Sequence, residues 1–389
     1  MGDLWQKGAT DVYTLAGLNP YDGKPIEISV NDGVIYSIKA SRHDDDRWIS
    51  SGFVDLQVNG YGGEDVNSVE PDPQTVIALT AKMIALGVTR YLPTIVTASE
   101  TKITAALCAV KWARQTSELV AECVPYVHVE GPHISSLEGF RGAHPIEHVR
   151  PPDLAEFARW QQASDGLVGM VTISPHFEGS DHYISALVAR GVHVSIGHTH
   201  ASAEEICKAA DAGARLSTHL GNGLPSMIPR HPNCIWTQLS EDRLTATLIG
   251  DGHHLPAETI KAIVRAKGIS RSILVSDSVA LGGSPPGIYD QPIGGRVELH
   301  SNGRLSLAGT EYLAGAVLPL KDGIARAVAM AGITLGESVR MATENPGRFA
   351  GGAGMLRVGM PANLVRFSIE DGGTGLRIER VLVKGKEWS

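Results

Sequence analysis

The chain has 389 residues, of which 43% are hydrophobic and 20% are charged, and its formal net charge is −8 at pH 7. This composition is that of a globular protein and excludes disorder as the main state, and the negative charge argues against a general nucleic-acid binder. The length exceeds that of one sandwich or bundle and suits a (β/α)8 barrel with a small additional domain.

The two ends of the chain share a β-rich pattern. Strands are predicted at 26–30, 34–38, 363–367 and 376–383. Asn31-Asp32-Gly33 lies between the first two and is a hairpin-turn signal. We therefore expect a small β-sandwich domain formed from both termini, at residues 1–50 plus 355–389.

The middle of the chain alternates between short apolar runs and helical stretches. Strands are predicted at 53–58, 88–95, 124–129, 168–173, 192–197, 214–218, 244–249 and 272–276, and helices at 74–86, 101–118, 202–212 and 256–267 among others. Eight such repeats predict an α/β fold, a (β/α)8 TIM-like barrel over residues 51–354. A further hairpin is predicted around Ser301-Asn302-Gly303, inside a stretch too long for a plain loop.

Signals for export and for membrane insertion are missing from the sequence. The N-terminus lacks the basic and apolar regions of a signal peptide, and no apolar run reaches the roughly 18 residues of a membrane span. Cys108, Cys123, Cys207 and Cys234 are widely spaced, which predicts buried thiols in a reducing compartment. We expect a cytoplasmic protein without a membrane or nucleic-acid partner.

Histidines are concentrated in one third of the chain, where 13 of the 15 lie between His128 and His254. The chemistry of such barrels sits at the carboxyl ends of the strands, and Glu130, His198 and His219 follow three of the predicted strands. One carboxylate and two imidazoles leave a fourth position for water, as in a catalytic zinc site. Iron, manganese or cobalt could also occupy this set, and the alternative is three hydrogen-bonded core residues.

Asp277 follows the last predicted strand and is the candidate general base. It could take a proton from metal-activated water and return it to a leaving amine, or it could only cap the following loop. His144, on the long loop after the third strand, could donate a hydrogen bond to a carbonyl oxygen or be a surface histidine.

Two absences favour one metal ion over two. The first barrel strand carries Gln57 and Asn59 where a two-metal site would use a His-x-His pair. The fourth strand, at 168–173, has no lysine that could become a carbamate bridge. We therefore expect one divalent ion per subunit, with zinc the best fit to the ligands.

Several motifs together resemble the N-acetylglucosamine-6-phosphate deacetylases of the amidohydrolase superfamily. They are SGFVDLQVNGYGG (51–63), YLPT (91–94), HVEGP (128–132), GHT (197–199), THLxN (218–222), GxH (252–254), SD (276–277) and RMATxNP (340–346). The resemblance implies a metal-dependent hydrolase that releases acetate from an N-acetylated amino-sugar phosphate. It also implies that Glu130, His198 and His219 bind the metal, that Asp277 is the acid/base and that His144 polarises the acetyl carbonyl.

The same resemblance implies the substrate contacts. They are Ala143, Asn222, Gly223, Arg230, His254, Leu307, Ala308, Gly309 and Thr310. Arg230 and His254 are implied to bind the phosphate from the neighbouring subunit of a homodimer, and the guanidinium of Arg230 has the fork geometry that suits phosphate. Gln57 and Asn59 match the single-metal branch of the family.

Two departures leave the exact sugar open. His176 stands where the family usually has a carboxylate, and His133 stands where a bulky apolar residue is usual. His133 could add a ligand or crowd the pocket. The alternatives are a deacetylase of another N-acetylated amino sugar such as N-acetylgalactosamine 6-phosphate, another amidohydrolase activity, or a non-catalytic barrel that acts as a scaffold.

Overall fold

The computed structural model describes residues 13–43, 45–291, 295–310, 312–370 and 372–388. The strands are β1 (Tyr13–Leu18), β2 (Pro25–Asn31), β3 (Val34–Ala40), β4 (Trp48–Ser51), β5 (Phe53–Val58), β6 (Gly60–Tyr61), β7 (Glu64–Asp65), β8 (Val88–Val96), β9 (Val127–Glu130), β10 (Val168–Ile173), β11 (His193–Ile196), β12 (Leu216–Ser217), β13 (Thr245–Ile249), β14 (Ser272–Val275), β15 (Gly287–Gln291), β16 (Gly295–Leu299), β17 (Leu305–Leu307), β18 (Leu364–Ile369), β19 (Leu376–Val383) and β20 (Lys386–Trp388). The α-helices are α1 (Pro73–Ala85), α2 (Glu100–Thr116), α3 (Glu118–Cys123), α4 (Leu154–Ser164), α5 (Ser180–Val188), α6 (Ala203–Asp211), α7 (Cys234–Ser240), α8 (Ala257–Lys267), α9 (Leu320–Ala327), α10 (Leu335–Met341) and α11 (Glu344–Gly347). Short 3-10 segments lie at Ile146–His148 and Ile269–Arg271, and a π-helical segment at Val328–Gly332.

The central sheet has the strand order β14-β13-β12-β11-β10-β9-β8-β5 in the described part of the chain, and its neighbouring strands are parallel. Helices connect successive strands, and several begin at side-chain N-caps, among them Asp72, Ser99, Asp153 and Ser202. A buried cluster with members from six of the strands, including Val54, Leu92, Met170, Leu216 and Ile273, fills the inside of the sheet. The predicted barrel is confirmed.

The barrel closes between β5 and the end of β14. Val58 and Ser278 form a parallel bridge, and the backbone N–H of Asp277 donates to the carbonyl of Gln57 at 3.0 Å. The buried carboxylate of Asp55 accepts the backbone N–H of Ser276 across the same seam at 3.2 Å. This seam fixes Gln57 and Asp277 relative to each other.

A second sheet unites both ends of the chain in the order β20-β19-β18-β4-β1-β2-β3. Its core includes Leu15 and Ile28 from the N-terminal strands and Leu364 and Leu382 from the C-terminal ones. The expected β-structure formed from both termini is confirmed. Only Gly52 separates β4 of this sheet from β5 of the barrel. The boundaries of the two domains stay a prediction. Within the predicted terminal domain, residues 1–12, 44, 371 and 389 lie outside the described residues.

A small antiparallel sheet, β15-β16-β17, leaves the barrel after β14. It contains the predicted hairpin, with Leu299 opposite Leu305. Within the described residues no helix is long and apolar enough to cross a membrane. The four cysteines are free thiols, and the prediction of buried thiols holds for Cys123 and Cys234. It is wrong for Cys207, which is exposed on α6, and Cys108 is only half-buried.

Candidate active site

The predicted site residues meet at the carboxyl ends of the barrel strands. Glu130 is the last residue of β9, and His198, His219 and Asp277 follow β11, β12 and β14 within a few residues. These last three have φ values of 47°, 29° and 49°, in the left-handed region that non-glycine residues rarely adopt. Such backbone strain is typical of functional sites, where it turns a side chain out of the strand direction.

Glu130 lies at the centre of this group and its side chain is only 3% exposed. Its Oε1 lies 3.0 Å from Nε2 of His219 and 3.4 Å from Nε2 of His198. Its other oxygen, Oε2, accepts a hydrogen bond of 3.0 Å from Nε2 of Gln57. The carboxylate is therefore held from both sides.

Glu130 and His219 each stabilise the charged form of the other. Burial alone raises the pKa of Glu130, but the hydrogen bonds and charges of His198 and His219 hold it well below its usual value. Burial by itself would lower the pKa of His219, but the hydrogen bond and charge of Glu130 outweigh burial, so the pKa of His219 is raised. A buried carboxylate with two imidazoles is a donor set that fits a divalent cation such as zinc.

His144 joins the same group. Its ring centroid lies 4.4 Å from that of His198, and Glu130, His144 and His198 each offer a ligand atom within 4.8 Å of the others. Nδ1 of His144 lies 2.8 Å from the hydroxyl of Thr97, and burial lowers the pKa of His144 to about 3. A neutral imidazole here could either donate to a substrate oxygen or bind the metal.

Neighbouring residues orient the two histidines that we predict as ligands. Nδ1 of His198 donates to the backbone carbonyl of Phe140 at 2.9 Å, which leaves Nε2 facing Glu130. The backbone N–H of His219 donates to the hydroxyl of Thr247 at 2.7 Å. A Cβ at Gly223 would lie 2.8 Å from Nδ1 of His198, so a side chain at that position would displace the ring.

Asp277 is buried beside this group. Its Oδ1 accepts a hydrogen bond of 2.8 Å from Nδ2 of Asn59. Burial and the charge of Glu130 raise the pKa of Asp277 to about 6, against the opposing effects of His219, His254 and Asn59. A carboxyl group with a pKa near neutrality can both take up and release a proton.

The predicted substrate residues other than the two for phosphate lie on three separate segments of the chain. Asn222 and Gly223 lie in the loop after His219, whose carbonyl accepts from the Nδ2 of Asn222 at 3.1 Å. Ala143 is exposed beside His144. Leu307 ends β17, and Ala308, Gly309 and Thr310 form the turn that follows it, on the sheet that leaves the barrel after Asp277.

The two predicted phosphate residues differ in their surroundings. Arg230 is exposed and forms no ion pair with any residue that the structure describes. His254 bonds its own Asp251 through Nδ1 at 2.7 Å, and its charge lowers the pKa of its own Asp277. His254 therefore lies close to Asp277 of its own barrel.

The structure also answers the two questions left by His133 and His176. His133 is fully buried, stacked on Trp160 with ring centroids 5.7 Å apart, so it is a core residue and not a ligand. His176 lies against His200 with ring centroids 4.2 Å apart, and its Nδ1 is 2.6 Å from the hydroxyl of Ser174. It does not belong to the cluster around Glu130.

Sequence reasoning missed several residues that hold the site together. The hydroxyl of Thr97 contacts His144, and the backbone carbonyl of Phe140 contacts His198. The carboxylate of Asp251 contacts His254, and that of Asp55 bonds across the seam beside Asp277. Only Asp55 carried a signal in the sequence, as a single carboxylate inside an apolar strand. Burial raises its pKa to about 7 despite hydrogen bonds from Ser276 and Gln57.

A model of the amidohydrolase family matches residues 48–388. This chain therefore belongs to the amidohydrolase family. It is 30% identical over 354 residues to the N-acetylglucosamine-6-phosphate deacetylase of Bacillus subtilis (strain 168), which covers 87% of each protein. It is also 30% identical over 335 residues to the N-acetylgalactosamine-6-phosphate deacetylase of Shewanella sp. (strain ANA-3), covering 83% of this chain and 82% of that one.

Two solved structures of amino-sugar-phosphate deacetylases are also similar to this chain. The N-acetyl-D-glucosamine-6-phosphate deacetylase of Mycobacterium smegmatis is 27% identical with a TM-score of 0.85, covering 96% of this chain and 99% of that one. The N-acetylglucosamine-6-phosphate deacetylase of Thermotoga maritima is 25% identical with a TM-score of 0.84, covering 97% and 99%. The likeness therefore extends over the barrel and the terminal sheet.

Proposed function

We propose that this chain hydrolyses the acetamide of N-acetylglucosamine 6-phosphate to glucosamine 6-phosphate and acetate. The observation that carries the proposal is the buried contact of Glu130 with His198 and His219, with Asp277 at a nearby strand end. The similarity to deacetylases of amino-sugar 6-phosphates supports the choice of substrate class.

Glu130, His198 and His219 would hold one divalent metal ion, for which we propose zinc. When bound, such an ion polarises a carbonyl group and lowers the pKa of a water molecule to about 7. One ion is favoured over two because Gln57 and Asn59 already bond the carboxylates of Glu130 and Asp277. Iron, manganese or cobalt would suit the same donors.

Asp277 moves the proton. Its Oδ1 is engaged by Asn59, so Oδ2 is the oxygen that takes a proton from the attacking water. The remaining hydroxide adds to the acetyl carbon, and the C–N bond breaks as Asp277 returns the proton to the amine nitrogen. His144 donates from Nε2 to the acetyl oxygen while Thr97 bonds its Nδ1.

Arg230 and His254 would bind the phosphate group, with Ala143, the Asn222-Gly223 backbone and residues 307–310 around the sugar. We propose a cytoplasmic homodimer in which Arg230, and with it His254, reaches the partner's site. The loop around Arg230 supports a protein contact, because Met227 and Trp236 beside it are 85% and 56% exposed.

The dimer proposal can be tested by mixing two variants, Arg230→Ala and Asp277→Asn, each purified alone and then exchanged. If Arg230 acts across the interface, mixed dimers contain one complete site, and activity should exceed that of either variant alone. Activity no higher than the sum of the two separate variants would show that Arg230 acts in its own subunit or not at all.

The function itself is tested by acetate release from N-acetylglucosamine 6-phosphate, N-acetylgalactosamine 6-phosphate and their unphosphorylated forms, after chelation and after zinc addition. We expect the glucosamine phosphate to be the best substrate and zinc to restore the chelated enzyme. Preference for the galactosamine epimer would establish the alternative substrate. Turnover of none of the four would contradict the proposal.

A further inference from the structure

Asp251 is a buried carboxylate that the mechanism above does not use. It follows β13 by two residues, and its side chain is 4% exposed. Oδ1 accepts the backbone N–H groups of His253 and His254 at 2.8 and 2.9 Å, and Oδ2 lies 2.7 Å from Nδ1 of His254. The carboxylate thus bonds both the backbone and the ring of the same histidine.

These contacts fix the orientation of His254. A carboxylate can only accept, so Nδ1 carries the hydrogen and Nε2 is the ring nitrogen left for a ligand. Among the described residues, Nε2 of His254 has no hydrogen-bond partner. The left-handed backbone of Gly252, with φ of 77°, makes the tight turn that brings Asp251 under the ring.

The adjacent histidine points elsewhere. Nε2 of His253 donates to the backbone carbonyl of Asn302 at 3.0 Å, on the turn between β16 and β17. His254 instead lies close enough to Asp277 for its charge to affect that carboxyl group. The loop therefore separates one structural histidine from one that faces the proposed active site.

We propose that Asp251 is a positioning residue that accepts the Nδ1–H of His254 and so turns Nε2 of that ring towards the substrate phosphate, to which the imidazolium donates through Nε2–H. This inference rests on the proposed function and adds a residue to it. A charged donor makes a stronger hydrogen bond to phosphate than a neutral one, and a carboxylate behind an imidazole is a recurrent way to orient it.

The substitution Asp251→Asn removes the negative charge of this side chain and keeps its size and shape. The amide oxygen can still accept the two backbone N–H groups, but the amide nitrogen now donates to Nδ1 of His254. Nδ1 of His254 must then accept, so the ring hydrogen lies on Nε2. We expect KM for the phosphorylated sugar to rise about 10-fold with little change in kcat, because the loss is one charge on a charge-assisted bond.

The experiment compares wild type, Asp251→Asn and the matched control His253→Gln on phosphorylated and unphosphorylated N-acetylglucosamine, with inorganic phosphate as a competitive inhibitor. Asp251→Asn should weaken phosphate inhibition and lower kcat/KM only for the phosphorylated sugar. The control should keep the wild-type ratio. An equal loss on both sugars, or unchanged phosphate inhibition, would overturn the proposal.

A second measurement works even if the variant does not fold. Nitrogen-15 NMR of the wild-type histidines, with His254 assigned by its loss in His254→Gln, reports which ring nitrogen is protonated. A His254 protonated only on Nε2 would contradict the proposed role of Asp251. If wild type turns over neither sugar, the proposed function fails, while the NMR result still decides the state of His254.

Discussion

Asn59 donates a hydrogen bond of 2.8 Å from Nδ2 to Oδ1 of Asp277, across the seam where the barrel closes. Two residues earlier, near the end of β5, Gln57 donates to Glu130 at 3.0 Å. The end of β5 and the residue that follows it therefore supply an amide to each of the two carboxylates of the site. The two amides allow the proton-transfer and metal-binding roles to be tested separately.

Replacing Asn59 with alanine should move the acid limb of the kcat/KM profile to higher pH. Burial already raises the pKa of Asp277 to about 6, and the hydrogen bond from Asn59 opposes that effect. Without it the pKa rises further, so the ionised carboxylate is lost at a higher pH. Kinetics between pH 5 and 9 check the shift, with Gln57→Ala as the matched control. An unmoved limb would show that Asn59 does not act on Asp277.

Replacing Gln57 with alanine should weaken metal binding instead. Its amide holds Oε2 of Glu130, and loss of a partner behind a ligand typically costs about 10-fold to 100-fold in metal affinity. Competition with a chelator measures the effect, and Asn59→Ala should bind metal nearly as wild type. Equal affinity in wild type and Gln57→Ala would mean that Glu130 is positioned without this amide.

His144→Gln distinguishes a substrate-polarising residue from a metal ligand. If His144 donates to the acetyl oxygen, turnover should fall about 100-fold while one metal ion per chain is retained. His198→Gln is the control that should lose metal. Loss of metal from His144→Gln would make His144 a ligand, as its 4.8 Å grouping with Glu130 and His198 allows.

His133 should make the fold sensitive to acid. Burial lowers its pKa to about 4, while the unfolded chain titrates near 6.5, so the unfolded state binds more protons as pH falls from 6.5 towards 4. At pH 5 this single group should cost about 2 kcal/mol of the free energy of unfolding, at 1.36 kcal/mol for each pKa unit.

His133→Phe removes that titration and keeps an aromatic ring between Trp160 and Tyr183. Urea unfolding at pH 7 and pH 5 should show a smaller loss of stability in this variant than in wild type. The exposed His182→Gln serves as the control and should behave as wild type. Equal pH dependence in all three proteins would exclude His133 as the source.

The strands and the placement of the site residues could be predicted because both follow from local pattern and barrel geometry. Short apolar runs marked the ends of β5, β8, β10 and β13 to within one residue. Parallel strands end at the same edge, so residues as distant in sequence as Glu130 and His219 could be expected to meet.

The residues that orient the site could not be predicted in this way. Phe140 bonds His198 through a backbone carbonyl, which has no signature in the sequence. Thr97 and Asp251 contact His144 and His254 because of loop conformations that only the folded chain defines. His133 became a core residue because Trp160 and Tyr183, on two different helices, enclose it.

The role of Asp277 as the proton carrier is tested most directly by Asp277→Asn, measured for both turnover and bound metal. Asparagine tolerates the left-handed backbone at this position, so the fold and the metal ligands should be preserved. We expect kcat on N-acetylglucosamine 6-phosphate to fall about 1,000-fold or more with one metal ion still bound. Turnover near the wild-type value in this variant would contradict the mechanism.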